Sequence, residues 1–130
     1  MPAKLTPRER LEVRAARALS ALPPRADDPA MRLLLAHDPT FWDLEARAAG
    51  FDLMLAGHTH GGQIRAPFDV GLYSISAFGE RFQRGFIESD PRADGTVARG
   101  FVSRGLGTTG PPFRTFCPAE VIVLELEPAQ

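Results

Sequence analysis

The sequence contains no asparagine and no Gly-Asp dipeptide, and it has only three histidines and one cysteine. A single cysteine, Cys117, excludes an intrachain disulfide and is compatible with a reducing compartment. No apolar run approaches the ~20 residues that a membrane helix needs, so no membrane segment is expected. The opening "MPAKLTPRERLEVRAARALSALPP" is charged throughout and lacks an apolar core segment. No signal peptide is expected from it, and a cytoplasmic location follows from that expectation. Neither sign of charge dominates: 15 Lys+Arg, nearly all Arg, face 16 Asp+Glu, for a net charge of -1. The arginines are spread along the chain, so bulk electrostatics give no reason to expect nucleic acid or a membrane surface as partner. There is no internal repeat and no low-complexity tract.

What remains reads as a soluble globular chain, with 44% hydrophobic and 24% charged residues. A length of 130 residues fits one domain with a modest core, covering residues 1–130. Residues 1–30 form a helix and a loop, residues 31–65 a βαβ region, and residues 66–130 a β meander. In "TPRERLEVRAARALSALPP", Thr6 suits an N-cap, Pro7 the first helical position, and Glu9 completes a capping box. Leu11, Ala15, Ala18, Leu19 and Leu22 fall on one face of that helix. The run "MRLLLA" suits a strand buried on both faces, as in a parallel sheet. "HDPTFWDLEARAAG" reads as a helix capped by Asp38 or Thr40 and stopped at Gly50, with Trp42 packing in its first turn. "FDLMLAG" is a second apolar run, and strand, helix, strand makes the two strands parallel neighbours. Downstream, "LYSISAF", "RGFIE", "VARGFVS" and "EVIVLELE" read as short strands of an antiparallel meander. In the last of them Ile122, Leu124 and Leu126 share one face.

The three histidines follow strand ends. His37 comes directly after the first apolar run, and His58 and His60 come after the second, past one glycine. Ligands of open α/β sheets bind beyond the carboxyl ends of the strands, so one rim receives all three. Histidine is the commonest metal-binding side chain. Glycines around "GHTHGG" let the backbone turn sharply and present bare N–H groups. His37 taken alone reads as a hydrogen-bonded structural residue, and the histidine pair taken alone as a polar turn. The three together point to a metal site.

"GHTHGGQ" resembles the last signature motif of the calcineurin-like metallophosphoesterases. "LLLAHDP" resembles the strand and histidine that precede that motif in the superfamily. "FVSRGLGTTGPPFR" followed by "PAEVIVLELE" resembles the C-terminal end of a bacterial subgroup of phosphodiesterases and phosphohydrolases, often secreted or membrane-associated. The resemblance runs from about Leu19 to Leu126. It implies an α/β fold, a partial α/β/β/α sandwich with mixed sheets. It also implies a metal-dependent phosphoester hydrolase acting on a small-molecule or lipid substrate. A pair of divalent ions, manganese, iron or zinc, would be bound with His37 and His58 on one ion and His60 on the other. In that family the metals polarise the phosphate and activate a bridging water for in-line attack.

The family's earlier motifs are an Asp-x-His pair, a Gly-Asp with the bridging aspartate, and a Gly-Asn-His segment. Without asparagine, Gly-Asp or a spare histidine, none of them is present. The chain thus resembles the C-terminal half of such a domain, expected to be weakly active or inactive alone and to seek its missing half or itself as partner. The alternative is a non-catalytic module that uses His37, His58 and His60 for one zinc or for an interaction.

The other polar residues carry simpler readings. Asp38 reads as a helix cap, and Gln63 either orients a ligand or starts the next strand. Arg104 and Arg114 read as salt-bridged or solvated rather than as phosphate ligands. The "GLGTTG" loop lacks a phosphate-loop lysine. Cys117 reads as inert, with no basic partner.

Overall fold

The computed structural model describes residues 4–21, 30–39, 42, 50–72, 79–89, 91 and 95–127. It is an α/β structure built on one mixed sheet. Helix α1 spans Pro7–Ser20. Its start is the capping box expected from the sequence: the Thr6 N–H donates to Glu9 Oε2 at 2.7 Å, and the Glu9 N–H donates to Thr6 Oγ1 at 3.2 Å. Hydrogen bonding from Thr6, its main-chain N–H first and its side chain second, holds the Glu9 carboxyl below its ordinary pKa. Ala18 is exposed, and the side chains of Leu11, Ala15, Leu19 and Leu22 lie outside the described residues.

Strands β1 (Leu33–Ala36) and β2 (Leu53–Ala56) pair in parallel, with Leu35 opposite Leu55 and Ala36 opposite Ala56. The βαβ reading is therefore right about the strands. The helix expected across 40–49 lies outside the described residues, apart from helical Trp42, and so does its expected cap at Thr40. Gly50 has a φ of 64°, the left-handed conformation of a helix stop.

The second half departs from a simple meander. Strands β5 (Gly85–Glu88) and β6 (Arg99–Val102) do pair antiparallel. However, β6 also lies parallel to β2, with Leu55 opposite Phe101, which gives the order β1-β2-β6-β5. Strands β3 (Arg65–Ala66) and β4 (Val70–Gly71) form a separate antiparallel ribbon. "LYSISAF" falls almost wholly outside the described residues. "EVIVLELE" pairs with no strand among the described residues, so its assignment as a strand is corrected. Its alternation survives in part: Ile122 is less exposed than Val121 and Val123 on either side.

The core lies on one face of the sheet. Trp42, Met54, Phe82 and Ala98 are buried there, packed with Leu34, Ala36, Ala56 and Ile87. Trp42 is thus a packing residue, as expected. The opposite face carries Leu33, Leu35, Leu55, Phe101 and Phe86. Leu35 and Phe86 are 72% and 71% exposed there, although Phe86 meets Phe101 edge to face at 4.9 Å. The expectation of a β1 buried on both faces is therefore wrong. β1 is an edge strand with one covered face, and an apolar run reads the same whichever side is covered.

Candidate metal centre

All three strands that run parallel, β1, β2 and β6, end on the same rim. Main-chain bonds tie their extensions together. The Gly57 N–H donates to His37 O at 3.4 Å, and the Ser103 N–H donates to Ala56 O at 2.8 Å. His37 is therefore level with Gly57, one residue before His58. The imidazoles of His37 and His58 meet with ring centroids 4.5 Å apart. Strand pairing brings them together across 21 positions of sequence, as the strand-end reading expected.

The backbone through the motif is unusual. His58 and His60 have φ values of 68° and 53°, Gly61 and Gly62 of 66° and 79°, and Gln63 of 42°. Left-handed backbone is uncommon outside glycine, and such strain clusters at functional sites. A tight 3-10 turn at His60–Gly62 results, held by Gly62 N–H to Thr59 O at 2.9 Å and Gln63 N–H to His60 O at 3.1 Å. Thr59, fully buried, donates its hydroxyl to Gln83 O at 2.6 Å.

His60 faces a different neighbour. Its Nδ1 lies 3.2 Å from Gly107 O. A carbonyl only accepts, so Nδ1 carries the proton and a neutral ring keeps its Nε2 lone pair. A ligating histidine has this arrangement, the far nitrogen fixed by a backbone carbonyl. Among the described residues, no group of three or more His, Cys, Asp or Glu side chains converges on a single point where a metal could sit. The structure thus joins His37 to His58 and orients His60 separately.

The chain is similar over most of its length to proteins named as metallophosphoesterases. It is 38% identical over 98 residues to an uncharacterised metallophosphoesterase of Campylobacter jejuni, covering 73% of this chain and 22% of that protein. It is 36% identical over 115 residues to the phosphodiesterase YaeI of Escherichia coli, covering 80% and 35%. It is 31% identical over 105 residues to the uncharacterised metallophosphoesterase YkuE of Bacillus subtilis, covering 79% and 33%. The chain belongs to the calcineurin-like metallophosphoesterase superfamily. It spans about a fifth to a third of the length of these metallophosphoesterase relatives. No family model matches it, and no solved structure matches it.

Several residues around this metallophosphoesterase motif act differently from what their sequence suggests. Gln63 lies before β3, which starts at Arg65, and its side chain is turned to the loop that follows β6. Its buried amide donates to Pro111 O at 2.7 Å and Phe113 O at 3.0 Å, and accepts from the Thr109 N–H at 2.7 Å. Arg114 is half-buried and forms no ion pair among the described residues. Its guanidinium donates to His60 O at 3.0 Å, Arg104 O at 2.7 Å and Gly107 O at 3.0 Å. Arg104 does form the expected ion pair: its Nε donates to Glu120 Oε2 at 2.7 Å and its N–H to Glu120 Oε1 at 2.8 Å. Cys117 is buried with the Arg114 guanidinium 3.8 Å from its sulfur, so the reading without a basic partner is corrected. Its thiol donates to Gly61 O at 3.3 Å. Arg65, only 3% exposed, was missed altogether. It bonds Asp69 Oδ1 at 2.9 Å, Glu80 Oε2 at 2.8 Å and Gly61 O at 3.3 Å, fastening the turn from below. An arginine directly after the motif gives no sequence signal of this burial.

The Arg104 ion pair makes the C-terminal segment sensitive to acid. Hydrogen bonds from Arg104 hold the Glu120 carboxyl below the ordinary glutamate range, and the same bonds raise Arg104. A depressed carboxyl contributes stability that is fully present above its unfolded pKa of ~4.3 and is lost as pH falls through the folded value. Glu120→Gln is therefore expected to lower the neutral-pH Tm and to shrink the Tm drop on acidification. Thermal melts of both proteins across pH check this, and parallel curves would contradict it.

Proposed function

We propose that the chain supplies the histidine side of a two-metal centre for hydrolysis of phosphomonoesters or phosphodiesters of small molecules or lipids. On this reading, alone it is weakly active or inactive. The observation that carries the reading is the contact of His37 with His58 on the strand-end rim, with His60 held apart by the bond of its Nδ1 to Gly107 O. By the resemblance to the family, His37 and His58 would hold one ion and His60 the other; imidazole nitrogens suit iron or zinc, and manganese would be favoured mainly through carboxylates of the complement. The bound ions supply polarisation of the phosphoester and a lowered pKa for bound water. This chain's own contribution is to bring the His37 and His58 rings into contact and to orient the His60 ring against Gly107 O. The names of the relatives, a phosphodiesterase among them, support the substrate class.

The need for a complement is supported from two sides. The sequence has no asparagine, no Gly-Asp and no fourth histidine to complete the metal shell. The sheet face with Leu35 and Phe86 exposed is apolar enough to pack against a second layer, as the partial α/β/β/α reading requires. The same open face also favours the second reading, a non-catalytic module that binds one metal or a protein partner. No helix of the described residues is long and apolar enough to cross a membrane.

Metal stoichiometry by native mass spectrometry separates the readings. A pair of metals retained only with a second polypeptide bearing the Asp-x-His, Gly-Asp and Gly-Asn-His motifs supports the split phosphoesterase centre. One zinc per chain with or without that polypeptide, lost in His37→Ala, His58→Ala and His60→Ala alike, supports the single-metal module and overturns the first reading.

A further inference from the structure

We propose that Gln63 and Arg114 are positioning residues that fix the tautomer and direction of the His60 imidazole through the loop 104–113. The proposal rests on His60 being a metal ligand and assigns how this chain prepares it. Among the described residues the His60 ring has Gly107 O as its hydrogen-bond partner, so whatever places that carbonyl places the ring. Gly107 belongs to a glycine-rich loop, exposed at Leu106, Gly107 and Thr108, with no strand or helix of its own. Such a loop does not hold a carbonyl to hydrogen-bond precision unless it is tied down.

Two side chains tie it, one on each flank. Arg114 Nε donates to Gly107 O itself at 3.0 Å, while its Nη1 donates to His60 O at 3.0 Å and its Nη2 to Arg104 O at 2.7 Å. A single planar guanidinium thus spans the main chain of His60 and the acceptor of the His60 ring. Gln63, 1% exposed, uses both ends of its amide on Thr109, Pro111 and Phe113, just beyond Gly107. Burial raises the cost of leaving any of these bonds unmade. Gln63 and Arg114 each lock a segment that the other leaves loose, and both reach back to the turn that carries His60. The result is a ring with its proton held on Nδ1, although free histidine in water favours the proton on Nε2.

The test is the tautomer of His60 in the metal-free chain, read from long-range 1H–15N correlations of the imidazoles at a pH where they are neutral. The wild type is expected to show His60 protonated on Nδ1. Gln63→Glu keeps the acceptor for the Thr109 N–H but loses the donor to Pro111 and Phe113. It is expected to shift His60 to a population dominated by Nε2–H while leaving the His37 ring as in the wild type. Gln63→Ala and Arg114→Lys are expected to do the same. A wild-type His60 ring protonated on Nε2 overturns the proposal without any variant. So does a folded Gln63→Glu or Arg114→Lys chain that retains the Nδ1 proton. Adding Zn2+ to the same sample keeps the two readings apart. An Nδ1-protonated His60 that Zn2+ leaves unshifted sinks the metal reading and leaves the positioning intact.

Discussion

Loaded with Mn2+, the isolated chain is expected to hydrolyse an aryl phosphodiester no faster than the metal-containing buffer alone. Two dications about 4 Å apart repel by roughly 16 kcal/mol at an effective dielectric of ~20, four times the unit-charge value. Neutral imidazoles offset none of that repulsion. The usual remedy is a carboxylate placed between the ions; "GHTHGGQ" has none, and among the described residues Asp38 of "LLLAHDP" forms no three-membered ligand group with the histidines. Three nitrogen donors, only two of them in contact, leave a second ion weakly held. Supplying a polypeptide with the missing Asp-x-His, Gly-Asp and Gly-Asn-His motifs is expected to restore turnover. In that complex His58→Ala is expected to lower the rate by at least about a hundredfold, more than loss of an outer partner of a ligand costs. Turnover by the isolated chain that disappears in His58→Ala would contradict the proposed dependence on a complement.

The second large effect is structural. Gly61→Ala is expected to destabilise the chain by about 2–5 kcal/mol, the sum of a left-handed residue and an overpacked site. Gly61 has a φ of 66°, and a Cβ there would sit 2.4 Å from Arg104 Cγ and 2.7 Å from Cys117 Sγ. Neither neighbour yields easily. Arg104 is pinned by Glu120, and Cys117 is buried against the carbonyls of His60 and Gly61. The expected fall in Tm is on the order of 10 °C. Gly57→Ala is the control, because a Cβ at Gly57 meets nothing within 4 Å. Thermal melts of both variants decide the matter. Equal, small shifts in the two would show that the turn is not packed as described.

The sequence made some of this legible because certain signals are local. Thr6 and Glu9 announce the start of α1 through a spacing that only a helix closes. The two leucine-rich runs and the histidines behind them announce a parallel pair with a loaded rim, and the contact of His37 with His58 follows from that register. Other features were hidden for physical reasons. Nothing in "VARGFVS" says that β6 lies beside β2 as well as β5, since one edge is local and the other spans more than forty residues. That placement brings the loop after β6 to the histidines and so creates the roles of Gln63 and Arg114. Their partners are backbone carbonyls and the Thr109 N–H, which carry no sequence signature. "EVIVLELE" has the composition of a strand, yet composition fits a pleated surface without providing a neighbour to pair with. The exposure of Leu35 was hidden for a similar reason, because an apolar residue records what a face can cover rather than what covers it.

The histidines as metal ligands are the centre of the account, and Mn2+ alone tests them most directly. Paramagnetic broadening of the imidazole ring protons, followed by NMR as Mn2+ is titrated into the isolated chain, reads each histidine separately. The account predicts that His37 and His58 broaden together at the lowest Mn2+ additions, that His60 broadens later, and that His58→Ala spares His37. Imidazole signals that stay sharp while carboxylates elsewhere on the surface broaden first would contradict it.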